Sequence, residues 1–352
     1  MACALELAKK GLGFTNPNPM VGAVIVKDGS IIGEGYHKAY GGPHAEVHAI
    51  NSCDPRNATL YVTLEPCFHQ GKTPPCVNAI IGSGIKQVVV GVKDPNPLVS
   101  GRGIQKLRDH GIEVVENIME RECQLLNEVF FHYIQTGMPY IIMKYAMTAD
   151  GKICTFTGAS KYITGPDSLR NVHESRHIYS SIMVGVNTVI ADDPLLTCRI
   201  EGRKNPVRII CDTNLRTPRS SKIVDTAKDV QTIIATACTD ESKLDFFRSR
   251  NIEILQGEVD DGRLDMKSVM KKLGGLGIDS VLLEGGATLN WSVLEIGLVN
   301  KVHAYIAPKL FGGENALSPI AGQGVSTPSE AIAIKNINIV QLGADILIEG
   351  YI

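Results

Sequence analysis

Between Cys76 and Val92 the chain reads CVNAIIGSGIKQVVVGV, a helical stretch that turns at once into a strong strand. This switch of period most limits the fold. It recurs on both sides. Ala2 to Lys10 has amphipathic-helix spacing and closes near Gly11 and Gly13. Val21 to Val26 reads as a strand, Lys27–Asp28–Gly29 as a tight hairpin turn, and Ser30 to Gly35 as its partner. Pro43–His44–Ala45–Glu46 leads into a helix, Thr59 to Thr63 is a short buried strand, and Leu64–Glu65–Pro66–Cys67 turns away from it. Gly103 to His110 is helical, Ile112 to Val115 a strand, and Arg121 to Ile134 one long helix-like stretch. Strands alternating with helices predict an α/β domain whose sheet is covered on both faces.

The alternation pauses at Thr136–Gly137–Met138–Pro139, a break that divides the 352 residues into candidate domains 1–137 and 138–352. The second half is α/β again. Runs such as PYIIMKYAMTADGKI, PVRIICDT, VQTIIATA and NKVHAYIAPKLFGG alternate with short helices, and no internal repeat relates the halves. Apolar residues at 44% let each half build its own core. A net charge of −2 and 5% aromatic residues argue against a nucleic-acid partner, which needs a basic groove and stacking platforms. No apolar run reaches the roughly 18 residues of a membrane span, and MACALELAKKG lacks the pattern of a secretory signal. Nine scattered cysteines suit a reducing, cytoplasmic setting better than a disulfide framework. Seven of them (Cys3, Cys53, Cys123, Cys154, Cys198, Cys211 and Cys238) read as small buried hydrophobes.

The other two stand in a different context. His44–Ala45–Glu46 sets an imidazole and a carboxylate two apart at a helix start, and Pro66–Cys67 and Pro75–Cys76 add two thiols. One His and two Cys are the three protein ligands of a catalytic zinc site that keeps its fourth position for water. A carboxylate outside the ligand set, Glu46, would then move protons. The zinc-deaminase signature H-x-E…P-C-x-x-C is met in its first half. Its second half is not, because eight residues rather than two separate the cysteines. The plainer alternatives are a helix-capping His44, a solvated first-turn Glu46, and a closed structural site completed by His69. His37 and His48 read as surface or core histidines.

With these residues in view, the chain resembles the bifunctional deaminase/reductases of riboflavin biosynthesis over essentially its whole length. The resemblance is carried by NPNPMVGAVIVKDG (16–29), GGPHAEVHAI (41–50), TLEPCFHQGKTPPC (63–76) and VGVKDPNPLVSGRG (90–103). It continues in ADGKI (149–153), VGVNTVIADDPLLTCR (184–199) and EGGATLN (284–290). The long insertion between the cysteines is what that family has. The resemblance implies a cytidine-deaminase-like α/β/α sandwich followed by a dihydrofolate-reductase-like α/β domain. It implies zinc in the first and NADPH in the second, a small phosphoribosyl pyrimidine as substrate, and a homo-oligomer. The expected reactions are hydrolytic deamination of a diaminopyrimidinone, then reduction of the ribosyl group to a ribityl chain.

Residue by residue, the resemblance assigns zinc to His44, Cys67 and Cys76, the proton shuttle to Glu46 and a pyrimidine contact to Asn18, with Lys72 and Thr73 near the substrate phosphate. In the second half it places Ala146, Tyr162, Thr188, Asp192, Thr213 and the run Gly286, Ala287, Thr288, Leu289, Asn290, Trp291 and Ser292 at NADPH. Ser160, Arg176, Leu196, Arg199 and Glu284 fall at substrate positions, and position 162 is often tryptophan in the family. The residues alone say less here. Glu284–Gly285–Gly286 after the strand SVLLE offers helix-start N–H groups to a phosphate. Asp192–Asp193–Pro194 reads as a helix N-cap or a turn, or, by resemblance, as the acid near the open-chain imine. Arg176 and Arg199 suit a forked phosphate clamp. A nucleic-acid base deaminase, a non-catalytic zinc-stabilised nucleotide-binding module, and an enzyme keeping one activity remain the alternatives.

Overall fold

Helix α1 (Ala2–Lys9) leads into the expected hairpin of β1 (Gly22–Lys27) and β2 (Ser30–Tyr36), paired from Gly22 with Tyr36 to Lys27 with Ser30. The structure is a computed structural model and describes residues 1–68, 74–96 and 99–352. After α2 (Ala45–Ile50), β3 (Thr59–Leu64) pairs antiparallel with β1. Helix α3 (Cys76–Gly82) and β4 (Gln87–Val92) follow, then α4 (Arg102–Asp109) and β5 (Glu113–Val115), with β3, β4 and β5 parallel. The sheet order is β2-β1-β3-β4-β5. Side chains alternate across it as strand geometry requires. Ala23, Ile25, Leu60, Val62 and Val88 pack under α2, α3 and α4. Val24 faces α1, and Leu64 and Val92, at the ends of their strands, pack with Leu5 of α1 and Cys123 of α5 (Glu120–Leu126).

Arg121 to Ile134 is not one helix. It breaks at Asn127 into α5 and α6 (Glu128–Thr136). The Asn127 side chain accepts from the Met20 N–H at 2.8 Å and donates to the Met20 carbonyl at 2.9 Å, pinning the segment that enters β1. Such side-chain-to-backbone bonds compete with helix continuation, and here the partner is 107 residues away.

Contacts divide the chain into two units, Met1–Gly137 and Met138–Ile352. In the second unit β6 (Tyr140–Thr148), α7 (Pro166–Ile178), β7 (Ser181–Gly185), α8 (Val186–Asp192) and β8 (Val207–Cys211) come first. They are followed by α9 (Lys222–Asp225), β9 (Thr232–Thr236), α10 (Glu241–Arg248), β10 (Ile252–Gln256) and a small ladder of β11 (Val259–Asp260) with β12 (Arg263–Leu264). The unit ends with α11 (Met266–Gly275), β13 (Ser280–Leu283), α12 (Ala287–Leu294), β14 (Lys301–Ala307), β15 (Lys335–Leu342) and β16 (Asp345–Tyr351). Its sheet order is β10-β9-β8-β7-β13-β6-β14-β16-β15, parallel from β10 to β14 and antiparallel beyond. One face packs Met183, Ile209 and Val281 on α11 and α12, and the other packs Ile182, Val184 and Ile210 on α8, α9 and α10. Sequence reading had not separated β15 and β16. Most of β15 is exposed, so it shows no buried-face alternation.

Two smaller expectations change. Asp192 ends α8 and Asp193 follows in the left-handed region at φ 41°, so this stretch closes a helix in the chain, while the Asp193 carboxylate accepts from the Lys222 N–H at the start of α9 at 2.8 Å. Among the seven cysteines read as buried, Cys123 and Cys154 are, Cys3 is exposed on α1, and the rest are half-buried. Among the described residues, no helix is long and apolar enough to cross a membrane.

Candidate active sites

In the first unit β2 and β3 both run opposite to β1, and β4 runs with β3, so the ends of β2, β3 and β4 meet the start of β1 at one edge. Ligand sites of α/β sheets form outside such carboxyl ends. Asn18 precedes β1, His37 follows β2, Cys67 follows β3, Asp94 and Asn96 follow β4, and α2 brings in His44 and Glu46. His44 occupies the N-cap position of α2 but its ring makes no cap bond. Instead Nδ1 lies 3.2 Å from Cys76 Sγ and 3.5 Å from Cys67 Sγ, and all three donor atoms fall within 4.8 Å of one another. Tetrahedral zinc bound by nitrogen and sulfur needs donors about 3.5–3.8 Å apart. The set fits.

Electrostatics follow from that crowding. Hydrogen bonding from Cys76, with the His44 ring, pulls the Cys67 thiol down to about 4, while Cys76, bonded to that thiolate and buried, moves up. The Cys76 N–H also donates to Cys67 Sγ at 3.2 Å. The bond to Cys67 raises the pKa of His44. Glu46 is 3% exposed, which removes the solvated-acid reading. Burial first, and the Cys67 charge second, push its carboxyl up to about 7, the range a proton carrier needs near neutral pH. Beside it opens a cavity of about 310 Å³ with Asn18, His37, Asn96, Phe130 and Ile134 on its walls. His37 therefore lines the site. Its Nδ1 lies 3.1 Å from the Pro43 carbonyl and its Nε2 3.5 Å from Asn18 Nδ2. His69, Lys72 and Thr73 lie outside the described residues.

In the second unit β13 is inserted between β7 and β6, and the ends of these parallel strands open into two cavities of about 460 and 600 Å³. Ser160, Thr188, Asp192, Glu284, Gly286 and Ala287 line both. The smaller also has Ala146, Tyr162, Arg176, Leu196, Arg199 and Asn290 on its walls, and the larger has Thr213, Thr288, Leu289 and Ser292. Ser160 Oγ donates to Asp192 at 2.9 Å, and Tyr162 is 63% exposed. The backbone passes close at the glycines. A Cβ on Gly285 would meet Val184 Cα at 2.6 Å, and Gly286 has φ 83°, a conformation glycine tolerates. Gly286 and Ala287, at the start of α12, face both cavities.

The family model described as RibD C-terminal domain matches residues 139–348, and the one described as cytidine and deoxycytidylate deaminase zinc-binding region matches residues 1–92. The riboflavin biosynthesis protein RibD of Actinobacillus pleuropneumoniae is 52% identical over 99% of this chain and 93% of its own. A Thermotoga maritima structure described as a diaminohydroxyphosphoribosylaminopyrimidine deaminase/5-amino-6-(5-phosphoribosylamino)uracil reductase superposes with TM-score 0.89. It is 41% identical, covering 100% of this chain and 97% of that one. An Acinetobacter baumannii RibD structure gives TM-score 0.90 at 36% identity, covering 99% and 97%.

The chain belongs to the RibD family.

It is a bifunctional deaminase/reductase of riboflavin biosynthesis, with a cytidine-deaminase-like domain carrying a His44/Cys67/Cys76 zinc-binding site and a dihydrofolate-reductase-like RibD domain after it. Within that RibD framework two expected residues sit differently. The Arg176 fork is made, but to Glu284, at 2.8 Å from Nε and 2.9 Å from Nη2, while Nη1 donates to the Thr197 carbonyl at 3.1 Å. Trp291 lines neither cavity; its indole faces Gly322 and packs on the core.

Two residues of this RibD chain escaped sequence reading. Lys144 lies 3.6 Å from Glu284 within an otherwise apolar run, IIMKYAM, and that lone charge in a central strand was the available signal. Burial pushes the Glu284 carboxyl up, but Arg176 and Lys144 together outweigh it and hold it at about 2. Glu65, read only as a turn residue, is 3% exposed and accepts from the N–H groups of Asp94, Gly101, Gly103 and Ile104 at 2.9–3.3 Å. Its donors lie about 30 to 40 residues downstream, so no local pattern announces it.

Proposed function

We propose that residues 1–137 deaminate a 2,5-diamino-6-(phosphoribosylamino)pyrimidin-4-one and that residues 138–352 reduce the deaminated product with NADPH to a 5-amino-6-(ribitylamino)uracil phosphate. The reading rests on one observation above others: three zinc donors converge beside a buried carboxyl poised near neutrality. Zinc held by His44, Cys67 and Cys76 supplies the acidity that makes water a nucleophile near pH 7. Glu46 would carry one proton of the attacking water to the ring nitrogen and a second, from the hydroxyl then on carbon, to the amine, so that ammonia leaves and a carbonyl remains. Asn18, whose amide nitrogen faces His37, presents its remaining polar atom to the pyrimidine.

NADPH supplies the hydride of the second reaction. Gly286 to Asn290, Ser292, Thr188, Thr213, Ala146 and Tyr162 would hold it, with Trp291 supporting α12 from behind. Ser160, Leu196 and Glu284 orient the substrate, Arg199 takes its phosphate, and Arg176 acts by fixing Glu284. Asp192, held by Ser160, protonates the opening imine. The exposed Ile337 and Ile339 on edge strand β15 support a homo-oligomer, since bare apolar edges invite pairing. Sedimentation as a monomer at micromolar concentration would remove that part.

The test is a mass measurement on the purified protein. Without nicotinamide, substrate mass should rise by about one unit as nitrogen is exchanged for oxygen. With NADPH it should rise by about two more. A zinc-loaded protein that catalyses neither step refutes the reading. Asp192→Asn with undiminished reduction refutes the role given to that acid.

A further inference from the structure

Hydride transfer requires the reactive ring of a nicotinamide to sit where the spaces for cofactor and substrate meet. In the second unit that place is the wall common to both cavities, with Thr188, Asp192, Glu284 and Gly286 on it. The rest of a dinucleotide must then run along the part of the 600 Å³ cavity that is not shared. This part reaches across the sheet to the end of β8, where Cys211, Thr213 and Arg216 lie, and to Arg263, Leu264 and Met266. The order β8-β7-β13 puts the end of β8 two strand spacings from β13, about 10 Å.

Charge is sorted along that path. Among the described residues of the cavity wall, the acids are Asp192 and Glu284, both at the shared end, and the cations are Arg216 and Arg263, both at the far end. Neither arginine is neutralised. Arg216 is exposed and donates from Nη2 to the uncharged side chain of Asn187 at 2.8 Å, so its other N–H groups have no partner among the described residues. Arg263 is exposed and makes no ion pair or side-chain hydrogen bond among the described residues, not even with Asp260 opposite it in the β11–β12 ladder. Both are held in place from behind. Asp212 Oδ2 accepts from the Thr217 N–H and Oγ1, each at 2.7 Å, which fixes the turn that carries Arg216. Leu264 and Met266, just after Arg263, are buried in the core against which Cys211 and Leu289 pack.

We propose that Arg216 and Arg263 bind the 2′-phosphate of NADPH and so set a preference for NADPH over NADH. This rests on the reductase reading above. Two accessible guanidinium groups without a counter-charge match a dianion with several acceptor oxygens. A dinucleotide site that selects the form lacking this phosphate turns a carboxylate to the ribose 2′-hydroxyl, whereas an arginine there accommodates the 2′-phosphate. Among the described residues, no carboxylate lines the far end of this cavity. The same polarity sets the direction of the cofactor. Its nicotinamide lies at the shared wall, and its adenosine ribose lies beyond the end of β8.

The test is equilibrium binding by calorimetry on the full chain, which needs no turnover. Wild type, Arg216→Ala, Arg263→Ala and Arg263→Lys are each titrated with NADPH and NADH, and with 2′,5′-ADP and 5′-AMP. Wild type should bind the member of each pair that carries the 2′-phosphate more tightly. Each alanine substitution should weaken NADPH and 2′,5′-ADP about tenfold, as loss of a hydrogen bond to a charged group does. NADH and 5′-AMP should bind as before, which also shows that the variant is folded. Arg263→Lys should recover part of the loss, since it restores the charge without the fork. Equal losses within a pair would overturn the assignment in favour of a pyrophosphate contact or a packing role, and so would no loss at all. A wild type that binds NADPH and NADH equally well overturns the proposal and leaves the reductase reading standing. One that binds neither nicotinamide removes the reductase reading, and the proposal with it.

Discussion

Glu65→Gln changes one atom of the chain, and its consequence can be worked from four hydrogen bonds. Oε1 accepts from Gly103 and Ile104, the first-turn amides of α4, and Oε2 accepts from Asp94 and Gly101. Glutamine keeps one oxygen. Whichever way its amide turns, an NH₂ group faces two N–H donors. Each buried donor left unpaired costs roughly 1–3 kcal/mol, so two cost about 2–6 kcal/mol. The lost negative charge at a helix N-terminus adds to this by up to about 2 kcal/mol. At the low end, 2 kcal/mol corresponds to about a 30-fold faster exchange of the amides that this carboxylate protects. Hydrogen exchange read at Gly101, Gly103 and Ile104 is the assay. Amides of the second unit serve as the internal reference. Because Asp94 lines the deaminase cavity, KM for deamination should rise with the local opening. Unchanged protection at all three amides would refute the claim that one carboxylate holds this segment.

Other perturbations have equally direct readouts. Cys76→Ser should lower zinc content to near zero and abolish ammonia release, while NADPH-dependent reduction of pre-deaminated substrate continues. Loss of reduction in step with zinc would contradict separate sites. The Glu284 carboxyl sits at about 2, below its ordinary value of 4.5, so its pairing stabilises the folded state above about pH 4.5 and is lost as pH falls towards 2. Urea midpoints of the second unit should therefore drop over that window, and the drop should be shallower in Glu284→Gln. Gly322→Ala would drive a Cβ to within 2.1 Å of the Trp291 ring at φ 96°. Trp291 is the only tryptophan, so its fluorescence should report a lowered unfolding midpoint, by about 1–3 kcal/mol for an overpacked contact. An unaltered midpoint would mean the loop yields freely.

Local chemistry made part of this protein legible in one dimension. The switch from helical to strand period around Cys76–Val92 needs only near neighbours, and so does the hairpin turn at Lys27–Asp28–Gly29. The zinc donors were legible because the metal demands nitrogen and sulfur in a fixed number, and His44, Cys67 and Cys76 supply it. What the tertiary structure alone decided lies at long range. Inserting β13 between β7 and β6 brings Glu284 onto Arg176, 108 residues away, and turns an expected phosphate clamp into a buried ion pair. Asn127 breaks a helix because the backbone of Met20 arrives beside it, and Glu65 gains four donors because β4 and α4 fold back on it. Periodicity records which face a residue turns to its own element. Which distant partner occupies that face is set by strand order, and strand order is a property of the packed sheet rather than of any window of sequence.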